Sequence, residues 1–213
     1  MSLINQVIRP DVRAMSAYAV ADSEGFLKLD AMENPYTLPQ ALKVELASRL
    51  ANVALNRYPV PSYTNLKAKI CRCMGIPEGY GIMLGNGSDE LISLVAQACA
   101  TKDHPAKMIA PVPGFVMYAL SAQFAGMKFI GIPLKTDFTL DTEAMLSAIE
   151  EHRPAVVYLS QPHNPTGTLF EEKDVIRIIE AMSDKGIVIS DEAYQPFAEA
   201  SFMSKLPVYP NLV

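Results

Sequence analysis

The stretch from Val156 to Tyr194 constrains this chain more than any other: VVYLSQPHNPTG, an amphipathic segment, then KGIVISDEAY. Two apolar runs rich in β-branched residues, each ending in polar residues and separated by a helix-length segment, read as consecutive parallel strands with a crossover. In open sheets of this kind ligands sit beyond the carboxyl ends of the strands, where Asn164 and Asp191 fall.

The same alternation extends upstream. Strand patterns at 107–110, 127–132, 155–159 and 186–189 are interleaved with helix patterns at 115–125, 141–150 and 171–182. Leu146 and Ile149 fall on the inner side of the second helix, and Val175, Ile178 and Ile179 share one face of the third. Together these elements predict an α/β doubly wound domain. With 213 residues, half of them hydrophobic, the chain has ample material for one sizeable core.

N-terminal of this region the pattern is looser. Residues 1–25 read as an arm or short helix, and GFLKLD at 25–30 as a short strand. Pro39 suits the first turn of a helix carrying Leu42, Leu46 and Leu50 on one face and fading by Asn56. Asn56-Arg57-Tyr58-Pro59 is then an exposed turn, and a helix over 63–74 ends at Gly75 and Pro77. Ile82–Leu84 reads as a short strand leading into GNGSDE. Ser88 is the expected N-cap there, and Leu91, Leu94 and Val95 the buried side of the following helix. At the other end, 201–206 is a turn or short helix, and Asn211-Leu212-Val213 opens another strand.

A net charge of -5 without any basic run argues against a nucleic-acid partner. No signal-peptide pattern and no run of about 18 apolar residues occurs, which argues against a membrane and places the chain in the cytoplasm. Cys71, Cys73 and Cys99 supply neither a disulfide framework nor a zinc set and read as reduced, mostly packed thiols. His104, His152 and His163 lack metal-ligand spacing and read as structural or exposed, so no metal site is expected.

Several residues have two readings. Asp191 with Glu192 can bind a metal or a cationic ring nitrogen, or serve as a helix cap at a strand end. Asn164-Pro165-Thr166-Gly167 is suited to a turn, yet its position lets the Asn amide face the same cleft. Tyr194 is either a core aromatic or a phenol bonded to the same ligand, and Phe115 either packing or a flat surface against a planar ligand. The helix start at Gly87–Ser88 favours an anion, although Asp89 and Glu90 can satisfy the dipole themselves.

Taken together, LDAMENPY at 29–36, LNRYP at 55–59, GNGSDE at 85–90, NPTG at 164–167 and DEAYQPF at 191–197 resemble the fold-type I pyridoxal-phosphate aminotransferases. The likeness covers nearly the whole chain. ENPY and RYP point to the histidinol-phosphate branch, and Met32 departs from the polar residue common there. The resemblance implies an incomplete three-layer α/β/α large domain with a mixed, mostly parallel sheet. It implies an arm and entrance segment over 1–35 and a cofactor-binding domain over 36–213. It further implies that Asp191 pairs with the pyridine nitrogen of pyridoxal 5'-phosphate, that Asn164 and Tyr194 contact the ring's 3-oxygen, and that Phe115 stacks on the ring. Gly87, Ser88 and Asp89 would hold the phosphate, and Asn34 and Tyr36 would lie near the substrate entrance. Tyr58 would reach a partner's cofactor across a homodimer with shared active sites. The implied reaction is transamination from an amino donor to an oxo acceptor, of the histidinol-phosphate:2-oxoglutarate type in histidine biosynthesis.

One departure is large. The family's Schiff-base lysine follows the next strand, and Lys205, in Phe-Met-Ser-Lys, precedes Asn211-Leu212-Val213. The expectation is therefore a chain truncated before that lysine and inactive as it stands. Two rivals remain open: a decarboxylase or carbon–sulfur lyase of the same fold, and a lysine-free, non-catalytic interaction protein.

Overall fold

The computed structural model describes residues 3–15, 22, 24–28, 34–59, 63–101 and 105–213. The chain divides into two compact units, Met1–Ala14 with Ala68–Val213, and Met15–Lys67. In order, the elements are α1 (Leu3–Val7), α2 (Pro10–Arg13), α3 (Gln40–Ala51), α4 (Thr64–Met74), α5 (Gly87–Cys99) and β1 (Lys107–Val112). Then come α6 (Val116–Phe124), β2 (Lys128–Pro133), α7 (Thr142–His152), β3 (Val156–Ser160), α8 (Glu172–Ala181) and β4 (Ile187–Asp191). Single 3₁₀ turns follow at Gln195–Phe197 and Met203–Lys205.

In the larger unit the strands form one sheet in the order β2-β1-β3-β4, every adjacent pair parallel. The antiparallel member of a mixed sheet is absent among the described strands. Successive side chains on a strand point to opposite faces, and that alternation builds two cores. Ile109, Val157, Leu159 and Val188 face α7 and α8, where Met145, Ile149, Val175, Ile178 and Ile179 are buried. Met108, Ala110, Val156 and Tyr158 face α5 and α6, meeting Ile92, Ala96, Tyr118 and Ala122. The result is the expected three-layer α/β/α arrangement, with β1 and β3 covered on both sides and correspondingly apolar throughout.

Local signals place the helices well. Asp141 caps α7 by accepting a hydrogen bond from the Ala144 N–H at 3.1 Å. Gly75, at φ +65°, ends α4 as a left-handed residue. Gly186 precedes β4 where any Cβ would collide with the Ala155 carbonyl, so only glycine lets β3 and β4 approach there. Asn211-Leu212-Val213 does run as an extension of the sheet: Leu212 bridges Val188 in parallel, and the Val188 N–H donates to the Asn211 carbonyl at 2.8 Å.

Six expectations are corrected. Ile82–Leu84 is irregular chain without a strand partner among the described residues, Ile82 and Leu84 half-buried and Met83 exposed. The N-cap of α5 is Asn86 rather than Ser88; Gly87, at φ +79°, takes the first helical position. The buried side of α5 is Ile92 and Ala96, with Leu91 and Val95 half-buried and Leu94 exposed. In the smaller unit α3 ends at Ala51, and Leu42, Leu46 and Leu50 are exposed at 46–53%, since no described element of that unit packs on their face. Residues 25–28 form turn and irregular chain rather than strand. Leu29 and Asp30, together with Met32 and His104, lie outside the described residues. The three cysteines are free, with Cys73 exposed rather than packed.

Candidate functional site

Parallel register brings the polar residues together. Ser160, last in β3, pairs with Asp191, last in β4, so both strands deliver a polar residue at the same level of the sheet's carboxyl end. The Ser160 hydroxyl is buried; it donates to the Pro162 carbonyl at 3.0 Å and accepts from the Asn164 N–H at 3.2 Å. That fixes the turn leading into Asn164. The Asn164 amide then donates to the Tyr194 hydroxyl at 3.3 Å. The loop closes behind them, with the Gly167 N–H on the His163 carbonyl at 2.7 Å and the His163 N–H on the Thr168 carbonyl at 2.8 Å.

Asp191 is half-buried, and both of its oxygens have partners. Oδ1 accepts from the Ala193 N–H at 3.1 Å, and Oδ2 accepts from the Tyr118 hydroxyl at 2.6 Å. The Tyr118 ring stacks on Tyr158 with centroids 4.4 Å apart and meets Phe115 edge-on at 5.6 Å. Burial first, and then the Asp191 charge, push the Tyr118 phenol far above its ordinary value; the same two causes raise Tyr158. Tyr118 therefore remains a neutral donor at any physiological pH.

Phe115 is the N-cap residue of α6, and Tyr118 lies one turn further on the same face. Sequence reasoning singled out Phe115 and passed over Tyr118, Tyr158 and Ser160. The available signals were the three-residue spacing of the two aromatics on a predicted helix and the position of Ser160 at a strand end.

Gly87, Ser88 and Asp89 form the exposed first turn of α5. The Asn86 N–H donates to the Glu90 carboxylate, which closes that turn from within. α5 lies on the same face as α6, linked to it by Ser93 and Ser121 hydroxyls 3.2 Å apart. No hydrogen bond among the described residues joins Gly87–Asp89 to Asp191, Asn164 or Tyr194. Asn34, Tyr36 and Tyr58 belong to the smaller unit: the Asn34 side chain accepts from the Tyr36 N–H at 3.0 Å, and Tyr58 is fully exposed.

Other candidates resolve into structural roles. Glu192 turns away from Asp191, accepting from Ser201 Oγ at 2.6 Å and from the Phe202 N–H at 2.6 Å. Lys205 is held in an ion pair with Glu172 at 2.6 Å. His163 is buried, with Nε2 2.8 Å from the Pro113 carbonyl and burial lowering its pKa below 6.5. No cluster of metal-ligating side chains occurs, and no helix is long and apolar enough to cross a membrane, among the described residues.

A carboxylate, an amide and a phenol beyond the carboxyl ends of adjacent parallel strands stand where three-layer α/β proteins commonly bind their ligands. Residues 24–213 match the model of the aminotransferase class I and II family, and the chain belongs to that family. It is 58% identical to histidinol-phosphate aminotransferase 2 of Cupriavidus pinatubonensis, over all of this chain and 58% of that protein. To the histidinol-phosphate aminotransferase of Acidovorax sp. it is 56% identical, over 96% of this chain and 55% of the relative. Among solved structures, the histidinol-phosphate aminotransferase from Clostridium acetobutylicum superposes with a TM-score of 0.72 at 25% identity, covering 84% of this chain and 52% of that one. The chain thus spans a little over half the length of these relatives, and its fold is that of the fold-type I aminotransferases.

Proposed function

We infer that this chain is the cofactor-binding portion of a pyridoxal-phosphate-dependent transaminase acting on histidinol phosphate and 2-oxoglutarate, in the cytoplasm and in histidine biosynthesis. The reading is supported above all by the register that sets Ser160 beside Asp191, with the Asn164–Tyr194 pair above the same strand ends. The relatives' shared name supports the substrate assignment. In this reading residues 1–35 are the arm and entrance segment, and 36–213 the cofactor-binding domain.

The donor set fits the cofactor's polar edges. Pyridoxal phosphate, when bound, supplies an electron-withdrawing ring that acidifies the substrate α-carbon. The Asp191 carboxylate, kept from rotating by the Ala193 N–H and the Tyr118 hydroxyl, would hold a proton at the ring nitrogen by its charge. The Asn164 amide and Tyr194 hydroxyl would donate to the ring's 3-oxygen. Phe115 would cover the ring face and exclude water from it. Backbone N–H groups of Gly87 and Ser88, at the positive end of the α5 dipole, would take the phosphate with Asp89 adjacent. Asn34 and Tyr36 would border the substrate entrance, and Tyr58 would complete a second site across a homodimer. Lys205, ion-paired with Glu172 at 2.6 Å, is not the covalent lysine in this reading.

Transamination of histidinol phosphate by the intact protein is the test. Asp191→Asn should lower its rate by about 10²- to 10⁴-fold, the scale of a positioned proton-holding group. Borohydride trapping followed by peptide mapping should mark a lysine other than Lys205. Carbon dioxide release or carbon–sulfur cleavage in place of amino transfer would replace this reading with a decarboxylase or a lyase.

A further inference from the structure

We propose that Tyr118 is a positioning residue for the cofactor's ring nitrogen: its hydroxyl, 2.6 Å from Asp191 Oδ2, aims the carboxylate and holds it in one orientation. The inference rests on the reading of Asp191 given above. Its own support is geometric. Asp191 ends a strand and is only half-buried, so the side chain has torsional freedom unless something fixes it. The Ala193 N–H fixes one oxygen from within the same turn. Tyr118 fixes the other from a different layer, across 73 residues of sequence, and it is itself immobilised at 1% exposure between the rings of Tyr158 and Phe115.

Chemistry favours a phenol in this place. A lysine or arginine there would neutralise the carboxylate by ion pairing and compete with the ring nitrogen for it. A buried phenol contributes a short hydrogen bond without a charge, leaving the full negative charge for the ligand. Since burial keeps Tyr118 protonated, the donor is permanent over the working pH range. The two aromatics of the first turn of α6 thus divide the work, Phe115 meeting the ring face and Tyr118 acting through Asp191.

A double-mutant cycle on cofactor affinity separates this role from simple packing. Dissociation constants for pyridoxal phosphate would be measured by quenching of intrinsic tyrosine fluorescence on the intact apoprotein, for wild type, Tyr118→Phe, Asp191→Asn and the double variant. Tyr118→Phe keeps the ring and its stack on Tyr158. It should weaken binding about tenfold, the scale of one charge-assisted hydrogen bond. In the Asp191→Asn background the same substitution should change affinity less than twofold. Equal losses in both backgrounds would mean that Tyr118 acts by packing and would overturn the proposal, as would no loss in the wild-type background. If Asp191→Asn itself left affinity unchanged, the reading of Asp191 would fall and the proposal with it. If instead Asp191→Asn weakened binding and Tyr118→Phe did not, only the proposal would fall. Should Tyr118→Phe not fold, 3-fluorotyrosine at position 118, a stronger donor in nearly the same volume, carries the same cycle: an affinity change confined to the Asp191 background supports the role.

Discussion

The two faces of the sheet do different things with similar strands. Against α7 and α8 the strands present Ile109, Val157, Leu159 and Val188, aliphatic side chains alone. Against α5 and α6 they present Met108, Val156 and Tyr158, and the facing helix brings Tyr118. Two buried phenols on one face and none on the other is a difference of purpose. The first face only has to exclude water, whereas the second must also deliver a hydrogen-bond donor to a carboxylate at the strand end. A phenol does both, because its ring packs like a core residue and its hydroxyl reaches the rim.

The largest expected effect lies on the α7–α8 face. Ile178→Ala removes a fully buried side chain from between α8 and the sheet and should cost about 2–5 kcal/mol in urea unfolding of the intact protein. Pyridoxal-phosphate affinity of the folded fraction should be unchanged; a loss of affinity matching the loss of stability would break the distinction between the faces. On the other face, Tyr158→Leu retains apolar volume but removes the ring under Tyr118. Here about 1 kcal/mol of stability should go with the lost ring pair, accompanied by weaker cofactor binding, since Tyr118 loses its support.

The smallest effect concerns His163, which sits below the rim against Phe170 and the Pro113 carbonyl. Burial lowers its pKa in the folded state below the ordinary 6.5, so the unfolded chain binds the extra proton more readily. Its contribution to stability is therefore complete above pH 6.5 and falls as the pH drops through that value towards the lower folded pKa. His163→Asn should flatten this part of the profile, seen as urea midpoints of the two proteins that converge between pH 7.5 and pH 5 (an interval chosen to bracket the ordinary value). Parallel profiles would remove His163 as the cause.

Much of the larger unit was legible because its elements are buried on defined faces. The burial of Val175, Ile178 and Ile179 on α8 followed directly from their spacing. The polar strand ends, Asp191 and Asn164, were legible because crossover topology assigns them a place before any contact is known. Around α5 the reading failed at both ends for one reason. Glycine at 85 and 87 permits several backbones, and sequence alone does not say which residue becomes the cap. The face of α5 that docks is that of Ile92 and Ala96, and Leu94 is left in solvent. Tyr118 was missed because its partner is 73 positions away, a separation over which no local pattern carries information.

That separation also has a kinetic meaning. The hydrogen bond between Tyr118 and Asp191 closes a loop that holds β2, α7, β3 and α8. Contacts that close long loops bear the greatest entropic delay. In a refolding experiment, competence to bind the cofactor would then be the last signal to appear, after helix content and after burial of the α7–α8 face, and would serve as a clock for completion of this half of the fold.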